Sequence, residues 1–162
     1  MKAAAITCSN RSSAGERADD SGKLVAELLT GAGHEIVLRR VVPDEVELIR
    51  SAVRDALAVG ARLVVTTGGT GLTTSDVTPE AVRPLLEREV PGIAEAIRAA
   101  SRESVPTSVL SRGVAGTIGN ALIVTLPGSP GGVRDGMQLL LIVAGHAVDQ
   151  LGGGDHQPGG GV

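Results

Sequence analysis

The chain has 162 residues, enough to enclose one hydrophobic core and too few for two. Its formal net charge of −3 excludes a nucleic-acid partner held by bulk electrostatics. Phe, Tyr and Trp are absent, so a heterocyclic ligand has no stacking platform and must be held by hydrogen bonds, aliphatic contacts or arginine planes.

Val, Leu, Ile and Ala therefore build the core, a composition that suits buried parallel strands between tightly packed helices. Cys8 stands alone, which rules out a disulfide framework and a cysteine metal cluster. The apolar run over residues 139–143 is far too short to span a membrane. The stretch Thr7-Cys8-Ser9-Asn10-Arg11 after the first apolar segment lacks the layout of a signal peptide, and a cytoplasmic location is expected.

Residues 2–7 read as a short buried strand, followed by a polar loop over 8–20. Asp19, Asp20 and Ser21 offer N-caps for a helix whose Leu24, Val25, Leu28 and Leu29 share one face, closed by Gly31 and Gly33. Residues 35–42 form a second strand, bounded by Pro43. Asp44-Glu45-Val46-Glu47 has the spacing of a capping box, and the helix it opens turns Ile49, Val53 and Leu57 inward before Gly60. Residues 62–66 give a third strand. Such alternation predicts a parallel sheet with helices on its faces.

Further on, Thr78-Pro79-Glu80 reads as N-cap, first position and first turn of a helix that Pro84 kinks or shortens. Pro91-Gly92 opens another helix, ending near residue 102. Residues 114–118 and 121–126 pair as a short hairpin about Gly119-Asn120, and the second arm is apolar enough for a central strand. A last helix is expected from about 133 to 151, with Val133, Met137, Leu140, Leu141, Ala144 and Val148 at helical spacing. Residues 1–151 make one domain, and 152–162 a flexible glycine-rich tail.

The chemistry concentrates where the third strand ends, at Thr66-Thr67-Gly68-Gly69-Thr70-Gly71. Glycines let a backbone approach a ligand closely, and successive free N–H groups make a nest for anions. Asp76 repels a phosphate unless a divalent cation lies between them, so phosphate with magnesium is the first reading. The loop is neither a P-loop nor a dinucleotide fingerprint, since neither pattern's later residues follow Gly71. A tight strand-to-helix turn explains the glycines equally well. In open α/β sheets ligands bind beyond the carboxyl ends of the strands, so the loops over 9–11, 67–76 and 127–132 should converge on one edge.

Each candidate also has a structural reading. Asp76 can complement a helix dipole, and the capping box by itself accounts for Asp44, although the two roles can coexist. Arg112 in Ser111-Arg112-Gly113 can clamp a phosphate or remain solvated. Ser129 donates to a ligand or closes a turn. Cys8 is read as a small apolar filler, and the three histidines show no zinc spacing.

The ordered set Thr66-Thr67-Gly68-Gly69-Thr70-Gly71, Asp76-Val77-Thr78-Pro79-Glu80, Leu110-Ser111-Arg112-Gly113 and Leu126-Pro127-Gly128-Ser129-Pro130 resembles the MoaB/Mog family of molybdenum-cofactor proteins, which includes the G domains of gephyrin and of its plant counterpart. The resemblance runs from about residue 3 to 151. It implies a doubly wound α/β three-layer sandwich, assembled as a homotrimer that binds molybdopterin. It implies adenylyl transfer from ATP to molybdopterin with Mg2+, releasing pyrophosphate, and a molybdenum-insertion protein as a further partner.

Carried over by position, Asp76 and Asp44 match the family's catalytic and metal-holding acids. Ser9, Asp20, Thr67, Gly68, Gly69, Thr70, Gly71, Ser111, Arg112, Pro127, Gly128 and Ser129 match positions that bind the substrates. Many members carry a basic residue just before Asp-Val-Thr-Pro. Ser75 stands there instead, so this loop supplies no cation for the phosphates. MoaB-type proteins share these motifs, which leaves open a molybdopterin carrier or assembly partner without nucleotidyl transfer. An interaction scaffold is a third reading, disfavoured by the absence of additional domains in this sequence.

Overall fold

The computed structural model describes residues 1–154. Six strands form one sheet: β1 (Lys2–Cys8), β2 (Glu35–Val42), β3 (Leu63–Thr67), β4 (Arg88–Glu89), β5 (Ala115–Ile118) and β6 (Ala121–Leu126), in the order β2-β1-β3-β6-β5-β4. β1 pairs in parallel with β2 and β3, and β3 with β6, while β5 and β4 add an antiparallel edge. The helices are α1 (Asn10–Ser13), α2 (Asp20–Gly31), α3 (Val46–Ala58), α4 (Thr78–Val82), α5 (Pro91–Ala100) and α6 (Pro130–Leu151).

The period-two alternation of the strands divides the core in two. Ala3 and Ala5 of β1 face one cluster with Leu63, Val65, Leu122 and Val124, which α2, α5 and α6 cover with Val25, Leu29, Ile97, Met137 and Leu140. Ala4 and Ile6 face the other with Val64 and Ile123, under Ile49, Ala52 and Val53 of α3 and Ala81 and Val82 of α4. The expected three-layer, doubly wound sandwich is therefore present. Alanine on both faces of β1 lets the helices sit close, which suits a core with no aromatic side chain.

The chain leaving β1 returns through α2 to β2 on one side. The chain leaving β3 travels the other way, toward β6. Neighbouring strands whose connections diverge leave a crevice at their carboxyl ends, and here that switch point lies between β1 and β3.

Several local expectations shift for physical reasons. The polar loop after β1 contains the single turn α1, because Ser9 accepts from the Ser12 amide as an N-cap. Asp44 does not cap α3: Glu45 occupies that position without a side-chain cap bond, and the Asp44 carboxylate is drawn to a tertiary partner. Val77, not Thr78, precedes α4, and Pro84 ends that helix in a 3-10 turn over Arg83–Leu85. A second 3-10 turn covers Pro106–Leu110.

α6 starts three residues early, with Ser129 as N-cap and Pro130 at its first position. The hairpin forms as expected and β6 is central, but the two-residue β4 was too short to show an alternation. Gly152 caps α6; the tail expectation beyond residue 154 lies outside the described residues.

Candidate functional site

A cavity of about 530 Å3 opens at the switch point, and a second of about 380 Å3 lies across the glycine loop from it. Ser9, Asp20, Asp44 and Gly68 line the first; Thr70, Gly71, Ser111 and Pro127 line the second; Gly69, Asp76, Gly128 and Ser129 line both. The three loops therefore meet at one edge, as the parallel strand order demands.

The glycine loop is pressed hard against its surroundings. Gly68 and Gly69 adopt φ of +94° and +61°. A Cβ on Gly68 would lie 2.2 Å from the Cys8 carbonyl oxygen, and one on Gly69 would lie 2.3 Å from Thr78 Oγ1 and 2.9 Å from Asp44 Oδ1. Buried Thr78 fixes the loop from below, its hydroxyl donating to the Gly68 carbonyl at 2.9 Å and its amide to the Gly69 carbonyl at 3.0 Å. The Gly68 amide donates to Leu126 O, but among the described residues the amides of Gly69, Thr70 and Gly71 have no acceptor in the protein. Three consecutive open N–H groups beside a cavity form an anion nest.

Asp76 closes the loop on itself. Its Oδ2 accepts from the Thr73 amide at 2.9 Å and from the Thr73 hydroxyl at 2.6 Å, while Oδ1 takes no hydrogen bond among the described residues.

Asp44 and Asn10 form a reciprocal pair. The Asn10 amide donates to Asp44 Oδ2, and the Asp44 amide donates to Asn10 Oδ1, each at 2.9 Å. Asp44 Oδ1 is buried with no partner among the described residues. Burial raises the Asp44 pKa above the usual carboxylate range, the Asn10 amide opposes that rise, and the negative charge of Asp76 adds to it. Two acids that feel one another across a cleft attract a cation.

Two expected ligand residues are engaged elsewhere. The Thr67 hydroxyl donates to the Pro127 carbonyl at 2.7 Å, tying the loop after β3 to the loop after β6. Arg112, read as a phosphate clamp, lines neither cavity. Its guanidinium instead donates to the carbonyls of Gly71 and Asp76 and pairs with Glu80, whose pKa it lowers. Arg112 braces the loop from behind because those carbonyls lack helical or sheet partners.

Ser129 lines both cavities, although its hydroxyl oxygen caps α6 by accepting from the Gly132 amide. Cys8 is 2% exposed, and burial pushes its thiol up to about 12, so it is a neutral filler and not a nucleophile at physiological pH.

Asn10, Arg11 and Arg17 also line the first cavity and were not singled out from sequence. The only available signal was their position in the loop after the first strand.

This is a doubly wound α/β protein whose switch-point cleft sets a backbone anion nest beside two carboxylates, Asp44 and Asp76, that line one cavity. A family model described as "Probable molybdopterin binding domain" matches residues 4–146, and the chain belongs to that family. It is 38% identical over 154 residues to a molybdenum cofactor biosynthesis bifunctional protein of Synechococcus elongatus, covering 95% of this chain but 48% of that one. It is thus about half the length of that relative. A molybdopterin adenylyltransferase of Pyrococcus furiosus is 39% identical over 145 residues, covering 86% of this chain and 85% of the relative. Among solved structures, the molybdopterin biosynthesis Mog protein of Mycobacterium ulcerans superposes with a TM-score of 0.88 at 45% identity, covering 93% of this chain and 98% of the other.

Proposed function

We propose that the protein transfers an adenylyl group from ATP to molybdopterin, with Mg2+, giving adenylyl-molybdopterin and pyrophosphate. The observation that carries this reading is the placement of Asp76 and of Gly69, with its open amide, on the wall shared by two cavities, where two phosphorylated substrates would meet; the open amides of Thr70 and Gly71 continue from there along the smaller cavity. The name of the archaeal relative supports it.

The larger cavity, with three aspartates and two arginines, suits the triphosphate. The smaller one is walled by the hydroxyl-bearing side chains of Thr70, Thr107, Ser108 and Ser111 beside Val105 and Leu110, and suits the pterin.

In the reaction an oxygen of the terminal phosphate of molybdopterin attacks the α-phosphorus of ATP. A new phosphoanhydride bond forms as the bond to the departing pyrophosphate breaks. The nucleophile is already anionic, so no general base is needed, which agrees with the absence of histidine from both cavity walls among the described residues and with the neutral Cys8. The chain's task is positioning and charge stabilisation. The amides of Gly69, Thr70 and Gly71 hold phosphate oxygens, and the Asn10 pair fixes the Asp44 carboxylate.

The residues present fit magnesium. Asp44 Oδ1 is a buried oxygen without a partner, Asp76 Oδ1 is open, and no cluster of three or more acids, histidines or cysteines occurs among the described residues. Magnesium is commonly held by one or two carboxylates together with substrate phosphates. Bound there, it would neutralise triphosphate charge.

A cytoplasmic homotrimer that hands its product to a molybdenum-insertion protein belongs to the same reading and rests on the family resemblance. No helix among the described residues is long and apolar enough to cross a membrane.

Titration calorimetry separates enzyme from carrier. ATP should bind with magnesium present and lose affinity by at least about tenfold with excess chelator. Tight molybdopterin binding with no magnesium-dependent ATP binding would identify a carrier instead.

A further inference from the structure

Resting on the adenylyl-transfer reading, we propose that Arg11 and Arg17 form the cationic wall of the larger cavity and grip the β- and γ-phosphates, the part of ATP that leaves as pyrophosphate. The cation suggested by the motif, Arg112, is turned away to brace the glycine loop, and Ser75 on the cavity wall carries no charge. Among the described residues, Arg11 and Arg17 are the two basic ones that line this cavity, and no basic one lines the smaller.

Local backbone geometry holds the two together. α1 is capped by Ser9, Gly15 reverses the chain at φ +75°, and the Glu16 amide donates to the Arg11 carbonyl at 2.9 Å. That turn brings Arg17 back beside Arg11.

Neither guanidinium makes a hydrogen bond or ion pair among the described residues, although Asp20, Asp44 and Asp76 line the same cavity. Among the described residues Arg39, Arg40, Arg50, Arg83 and Arg112 each pair with an acid, as Arg39 binds Asp19 at 2.8 Å, whereas Arg11 and Arg17 stay unpaired on a cavity wall that holds three. Unpaired cations and uncompensated carboxylates therefore share one cleft with room between them. A polyphosphate carrying a divalent cation satisfies both, its oxygens toward the arginines and its metal toward the acids. Arginine's planar fork matches phosphate geometry.

The test is calorimetry on the full chain with magnesium-ATP, magnesium-pyrophosphate and AMP as probes, for the wild type, R11Q, R17Q, R11Q/R17Q and R11K/R17K. Both side chains are exposed and without partners among the described residues, so the variants should keep the fold, which circular dichroism checks. The glutamine double variant should bind magnesium-ATP and magnesium-pyrophosphate about 30-fold or more weakly, with AMP changed by less than about twofold. The lysine pair should recover part of the loss.

Unchanged magnesium-ATP affinity in the folded double variant would overturn this assignment and leave the adenylyl-transfer reading standing. Equal weakening of ATP and AMP would also overturn it, by placing the arginines on the nucleoside side. A wild type that binds neither ATP nor pyrophosphate would overturn both.

Discussion

Asp76→Asn is expected to lower adenylyl transfer by about 1,000-fold while moving Tm by no more than about 3 °C. Asparagine keeps an acceptor for the Thr73 amide and hydroxyl, which now bond Asp76 Oδ2 at 2.9 and 2.6 Å, so the loop stays closed. The substitution removes the negative charge from the wall shared by both cavities. Loss of charge with retention of shape should depress kcat and weaken the dependence on magnesium, leaving molybdopterin affinity near wild type. Asp76→Ala would be less informative, because it also strands the Thr73 amide at a cost of about 1 kcal/mol. Steady-state release of pyrophosphate measures the effect; turnover of the asparagine variant near the wild-type rate would remove Asp76 from the chemistry.

Gly68→Ala is expected to destabilise the protein by about 3 kcal/mol or more and lower Tm by about 10 °C. Two penalties add. A side chain at φ +94° sits in a conformation that disfavours a Cβ, worth about 1–2 kcal/mol. The new methyl would also lie 2.2 Å from the carbonyl oxygen of Cys8, at the end of a strand paired on both sides by β2 and β3. Backbone held in a sheet has little freedom to yield, so the glycine loop must lift. Lifting it would carry Gly69 away from Thr78 and Asp44 and disperse the nest, so nucleotide binding should fail together with stability. Gly131→Ala is the control: nothing lies within 4 Å of a Cβ there, in the first turn of α6, and its Tm should not fall. Urea denaturation of the three proteins reads the difference. A Gly68→Ala protein as stable as wild type would mean that the close approach to β1 is not a constraint.

The fold was legible because its signals are local and agree with one another. Apolar runs too short for helices, closing glycines at 31, 33 and 60, and the Gly119-Asn120 turn place most elements within a few residues. The parallel pairing of β1, β2, β3 and β6 also followed, since alternating strands and helices impose a parallel sheet whose loops meet at one edge, whereas the order of the strands was not legible.

What local sequence could not reveal was competition from distant partners. The capping-box spacing at Asp44 is genuine, yet Asn10, 34 residues away, binds the carboxylate and leaves Glu45 at the cap position. Arg112 stands next to the site in sequence, but the nearest unsatisfied carbonyls, those of Gly71 and Asp76, face its opposite side. Thr67 is taken by Pro127, 60 residues on. The loop over 9–11 was expected at the site, but the importance of Arg11 and Arg17 was not legible, because it lies in their having no partner among the described residues, a property only the folded chain displays.

Adenylyl transfer leaves two products, and assaying both tests the reaction most sharply. Purified protein is incubated with molybdopterin, ATP and magnesium, and adenylyl-molybdopterin and pyrophosphate are quantified by mass spectrometry and a coupled assay. Both products should appear in equal amounts over many turnovers and be lost with chelator and in Asp76→Asn. Molybdopterin recovered unmodified from a protein that binds it tightly, with no pyrophosphate formed, would contradict adenylyl transfer.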